Sequence, residues 1–210
     1  MDTIVKDGIE YLIMRKGTDA AWAKVYKAST KGIGMAIIPN TIEESGTHYA
    51  VKEIDDNAFR FCGLLSTVSL PDNLEKIGTM AFAECTSLKE LNIPNSVIEI
   101  GRQAFSGCDS LKNINIPESV TEIGKDAFLG CKNLKEVKIQ GKIETLKSGV
   151  FSQCENLVSV CLPDSITKIE DKVFDYSQNI EEICIPCTDK AFPLWVCLME
   201  SEYKDLVLQN

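Results

Sequence analysis

Phe59, Phe82, Phe105, Phe128, Phe151 and Phe174 stand 23 residues apart in this chain of 210. Cys62, Cys85, Cys108, Cys131 and Cys154 keep the same step, with Ser177 in the sixth place. So do Leu65, Leu88, Leu111, Leu134, Leu157 and Ile180, and likewise Ile54, Ile77, Ile100, Ile123, Leu146 and Ile169. A fixed period in the twenties, held without a gap, leaves few options: the chain is a solenoid whose coils bury their apolar faces only by stacking.

Each copy carries L-x-x-L-x-L or its Ile and Val equivalents, followed by Pro in five copies, as at Leu88–Pro94, and by Gln140 in the fourth. Alternate residues of a strand face opposite sides. Leu91 and Ile93 therefore point inward, and Glu90 and Asn92 outward. Three or four extended residues are too few for a free hairpin, so they pair with the equivalent strand one coil away, in a parallel ladder with a spacing of about 4.8 Å. The remainder of each copy, such as EIGRQAFSGC, returns on the opposite side, where a small Ala permits close approach and Phe fills the interior.

AFAECTSLKELNIPNSVIEIG (Ala81–Gly101) and AFSGCDSLKNINIPESVTEIG (Ala104–Gly124) resemble the BspA-like leucine-rich repeat. The resemblance covers about residues 51–186. It implies a leucine-rich-repeat solenoid: a right-handed, curved parallel β ladder of about six coils, with its strands on the concave face. Val150 and Val173 replace the repeat's Ala, and Lys147 and Glu170 its Gly, so less regular coils are expected there.

End coils expose apolar edges and need caps. Residues 1–50 are expected to form an N-terminal β cap, from the strand-like runs IEYLIM, AWAKVYKA, GMAIIP and THYAVKEI, with a hairpin at the EESGTHY insertion. Residues 51–186 are the repeats. Residues 187–210 leave the pattern and are expected to form a C-terminal cap, with a short helix and a final extended piece. All three belong to one structural domain, expected to be a monomer.

The net charge of −9 lies entirely in residues 51–210, the first 50 being balanced. Phosphate binding needs clustered Lys and Arg, so nucleic acid is not an expected partner. No apolar run approaches the ~20 residues of a membrane span. The N-terminus, with Asp2 and Asp7, does not read as a signal peptide. As given, the chain reads as cytosolic; the family resemblance implies a surface or secreted location if a leader was removed.

His48 is the only histidine, and it reads as an exposed residue of the insertion. No phosphate loop, dinucleotide fingerprint, EF-hand or paired acid and base is present. The expectation is no enzyme and no cofactor. The five-cysteine ladder reads as a buried stack of thiols acting as small hydrophobes. C-I-P-C (Cys184–Cys187) inherits its spacing from the repeat's Ile-Pro. Stacking sets Cys161 beside Cys184, both predicted outward-facing.

Outward positions on the strand face are where binding is expected: Glu90, Asn92, Asn113, Asn115, Glu136, Lys138 and Glu182. The leading expectation is a protein–protein interaction module using that face, with a protein partner of unknown identity and, by resemblance, an adhesin-like role. The alternatives are a cysteine-based zinc or redox site at Cys161, Cys184, Cys187 and Cys197, and a structural spacer.

Overall fold

The architecture comes from a computed structural model, which describes residues 3–14, 21–28, 32–185 and 207–209. The N-terminal strands are β1 (Thr3–Lys6), β2 (Ile9–Met14), β3 (Trp22–Ala28), β4 (Met35–Ile37), β5 (Thr41–Glu44) and β6 (Thr47–Ile54). The first three form an antiparallel meander. β5 and β6 make the hairpin expected at the insertion. Its two-residue turn, Ser45-Gly46, has positive φ at both residues (50° and 77°), which suits the right-handed twist of paired strands.

The coils supply β7 (Thr67–Ser69), β8 (Lys76–Ile77), β9 (Glu99–Ile100), β10 (Asn113–Ile116), β11 (Glu122–Ile123), β12 (Glu136–Ile139), β13 (Thr145–Leu146), β14 (Ser159–Cys161), β15 (Lys168–Ile169) and β16 (Glu182–Ile185). β17 (Val207–Gln209) follows near the C-terminus. Together they form a parallel β-solenoid of about six turns, bonded coil to coil along three rails. The strand rail runs β4–β7, then through a single bridge from Thr67 to Glu90, and then β10–β12–β14–β16–β17, all parallel. The second rail runs β3–β6–β8–β9–β11, with β13–β15 continuing it. The third has no strands. Its amides donate forward to the next coil: Phe59 to the Ala81 carbonyl at 2.7 Å, Phe82 to Ala104 and Phe105 to Ala127 at 2.8 Å.

Inside the rails, the six phenylalanines stack in one column. Ring centroids lie 4.9, 5.4, 5.2, 5.6 and 6.0 Å apart, with planes within 14° of parallel. The coil repeat thus spaces the rings for offset stacking. The inward Leu, Ile and Val columns are buried around them.

The rails break in two places, each traceable to residues. A Cβ added at Gly78, Gly101 or Gly124 would lie 2.4–2.6 Å from the nearest atom of the preceding coil. Glycine therefore lets successive coils close at this corner. Lys147 carries a Cβ at the same position, and the second rail loses its pairing between β11 and β13. The same coil has Gln140-Gly141 where other copies have Pro and a polar residue. At Glu170 the pairing survives, its amide donating to the Leu146 carbonyl at 2.9 Å. The irregularity expected at the later coils is thus concentrated at Lys147.

The second break is on the strand rail. Lys89 donates to Ser66, Lys135 to Lys112, Val158 to Lys135 and Glu181 to Val158 through their backbones, but no equivalent bond joins Lys112 to Lys89. Segment 91–93 forms no strand. At the C-terminus, the expected final extended piece is β17, paired with β16. The helix expected within 187–210 lies outside the described residues.

Candidate functional site

The strand rail carries an open groove of about 590 Å³, centred on the opening between Leu91 and β10. Its floor is Leu91, Ile114 and Val137, inward residues of three successive coils. Its walls are Glu90, Asn92, Asn113, Asn115, Glu136 and Lys138, all exposed. These are six of the seven site residues expected from the sequence. They stand at outward positions because each strand alternates, as β10 and β12 do with exposed and buried residues in turn. Glu182, the seventh, is not on the groove. It is half-buried on β16, and its Oε1 accepts a hydrogen bond from the Cys184 thiol at 2.8 Å.

Lys89, Lys112, Ser159 and Cys161 complete the lining. The sequence sets the lysines next to the first outward column, but they precede the first strand position in each copy and are not among the expected site residues. Strand alternation alone does not place them on the groove wall. No ion pair within the described residues engages Lys89, Lys112 or Lys138. Those that do form lie elsewhere, such as Lys52–Glu75 and Lys76–Glu99 on the second rail. The groove therefore presents unengaged donors and acceptors of both signs along a rigid ladder.

Cys161 and Cys184 are directly in register across β14 and β16, as stacking requires, and both are free thiols. Cys161 is half-buried. Cys184 is not outward-facing as expected; only 8 % of it is exposed. Its thiol is turned onto the Glu182 carboxylate of its own strand, and β17 pairs with β16 on the other side. Burial, together with hydrogen bonds to Glu182 and Cys161, pushes the Cys184 thiol up to about 12. Cys187 and Cys197 lie outside the described residues. Among the described residues, no three or more His, Cys, Asp or Glu side chains gather as a metal-ligand set. His48 is exposed at the start of β6, opposite Glu43.

A family model for the BspA type leucine-rich repeat region matches residues 52–181 in six copies. The chain belongs to this family. Similar solved structures include leucine-rich repeat proteins. A leucine-rich repeat protein of T. pallidum is 28 % identical with a TM-score of 0.72, over 87 % of this chain and 81 % of that one. One from Bacteroides ovatus is 26 % identical with a TM-score of 0.65, over 89 % of this chain. This chain spans 59 % of the length of that protein. The pneumococcal vaccine antigen PcpA shares the fold at 19 % identity and a TM-score of 0.74, over 90 % of this chain and 51 % of that one. No curated protein sequence matches the chain significantly. Among the described residues, no helix is long and apolar enough to cross a membrane.

The Cys of the BspA-type repeat has a structural task here that periodicity did not reveal. Four of the five ladder thiols donate to the Phe carbonyl of the preceding coil: Cys85 to Phe59 at 3.2 Å, Cys108 to Phe82 at 3.3 Å, Cys131 to Phe105 at 3.2 Å and Cys154 to Phe128 at 3.4 Å. Ser177, the natural replacement, does the same to Phe151 at 2.8 Å. That substitution was the available signal, since a hydroxyl stands in for a thiol as a donor far better than as a hydrophobe. All five cysteines are buried and unpaired.

Proposed function

We propose that the chain is a non-enzymatic interaction module that binds a protein partner in the strand-face groove. The observation that carries this reading is the groove itself. It gathers exposed Glu90, Asn92, Asn113, Asn115, Glu136 and Lys138 over an apolar floor, with Lys89 and Lys112 along one wall and no ion pair engaging its lysines. Side chains fixed on a hydrogen-bonded ladder lose little freedom on binding, and solenoid repeats commonly present such extended surfaces to partners. The mixture of signs favours a protein surface of complementary polarity over a polyanion. An acidic chain with no basic cluster is also a poor match for nucleic acid.

The resemblance to bacterial BspA-like proteins supports a surface or secreted, adhesin-like setting. A single folded unit acting as a monomer suffices for this role. The test is immobilised protein offered to candidate extracellular mixtures, with bound proteins identified by mass spectrometry, and a Glu90→Lys/Glu136→Lys double variant in parallel. Loss of a bound protein from the double variant supports the groove. Equal capture by both forms removes this face from consideration.

A further inference from the structure

Seven cysteines lie among the described residues, and only Cys161 of these is open to solvent. It sits opposite Cys184 in the parallel pair β14–β16, at a ladder spacing of about 4.8 Å. That falls within the ~4.4–6.8 Å between Cα atoms that a disulfide spans. Beside them is a carboxylate, Glu182, already accepting the Cys184 proton at 2.8 Å. A half-buried thiol open to solvent and a buried thiol in register with it form an ordered pair. The ladder cysteines share the stacking but lack a member open to solvent. Cys108 and Cys131, also one coil apart, are 0 % exposed, and their protons are held by the carbonyls of Phe82 and Phe105.

We propose that Cys161 and Cys184 are a reversible redox pair, with Cys161 reacting first with a low-molecular-weight disulfide and Cys184 resolving the product into a bond between neighbouring coils. In the first step the Cys161 thiolate attacks one sulfur of the disulfide R–S–S–R. A Cys161–S–S–R bond forms and RS⁻ leaves, taking up the proton that Cys161 released. In the second step Cys184 loses its proton to solvent hydroxide, its sulfur attacks the Cys161 sulfur, and the second RS⁻ leaves and is protonated by water. Two protein thiols are oxidised to one disulfide, and the small disulfide is reduced to two thiols.

Burial and the hydrogen bond to Glu182 hold the Cys184 thiol up at about 12, which is consistent with this order, because the thiolate is the attacking form and Cys184 is the slower of the two to reach it. The Cβ atoms of a disulfide sit ~3.5–4.5 Å apart, closer than the ladder spacing. The bond would draw β14 and β16 together, which makes it readily reducible by excess thiol. Its effect would be to fasten the last two strands of the repeat region below β17.

The test uses oxidised glutathione on the native protein, followed by alkylation of remaining thiols and digestion without reduction. The expected product is a Cys161–Cys184 linked peptide that disappears after treatment with excess reduced glutathione, while the five ladder cysteines stay unmodified. Cys184→Ser is expected to stop at a glutathione mixed disulfide on Cys161. Cys161→Ser is expected to leave Cys184 unmodified. Glu182→Gln, which removes the charge that helps hold the Cys184 proton, is expected to speed conversion of the mixed disulfide to the linked peptide. The proposal is overturned if wild-type Cys161 and Cys184 both remain alkylatable, if the ladder thiols react as fast as Cys161, or if the linked peptide joins Cys161 to Cys187 or Cys197.

Discussion

The Cys108 thiol donates to the carbonyl oxygen of Phe82 at 3.3 Å, and the same carbonyl accepts the Cys85 amide of its own coil at 3.2 Å. One carbonyl thus ties its own turn and clasps the following coil. The thiol acts as a donor as well as a filler, so a hydroxyl should serve in its place. Cys131→Ser is expected to change stability by less than about 1 kcal/mol, as the native Ser177 suggests. Cys131→Ala, which loses the donor and leaves a void, is expected to cost about 1–3 kcal/mol. Urea unfolding midpoints of the two variants decide between these roles.

The same burial makes stability depend on alkaline pH. Burial pushes the Cys85 and Cys154 thiols up to about 12, and those of Cys108 and Cys131 well above the ordinary value of 9.0. The native state therefore keeps protons that the unfolded chain releases near pH 9. The stability these groups contribute is complete below about pH 9 and is lost progressively as pH rises toward about 12. Unfolding free energies at about pH 7 and about pH 11 should show a larger drop for the wild type than for a Cys85→Ser/Cys108→Ser/Cys131→Ser variant.

Phe105 is sandwiched between Phe82 and Phe128, whereas Phe59 stacks on Phe82 alone among the described rings. Phe105→Ala is expected to cost about 3–5 kcal/mol and Phe59→Ala clearly less. Chemical denaturation that gives equal losses would show that the column does not act through stacking on both faces.

A Cβ at residue 101 would stand 2.6 Å from the carbonyl carbon of Gly78. Gly101→Ala must therefore push away a backbone to which it is bonded at 2.8 Å, through the Gly101 amide and the Ile77 carbonyl. The expected cost is about 1–3 kcal/mol. Faster hydrogen exchange at the Gly101 amide would locate the damage at this corner.

The repeat made the coils, the inward columns, the hairpin and most of the groove walls legible, because strand alternation and a constant period fix which side each residue faces. Three features were not legible. The burial of Cys184 falls on the last strand of the repeat, which pairs with β17 from beyond it. The third rail depends on left-handed backbone at non-glycine residues such as Met80 (54°), Glu84 (62°) and Gln103 (54°), which no residue type announces. The strand rail lacks a backbone bond between Lys112 and Lys89, in two copies whose sequences look as regular as their neighbours.

The central claim is that partners are taken up on the strand rail, and photo-crosslinking from single sites measures this most directly. A photoreactive residue at Asn113, in the groove, is compared with one at Gln153, exposed on the third rail. Covalent capture of a bound protein from position 113 and none from 153 is the predicted result. Capture from 153 with none from 113 would contradict it.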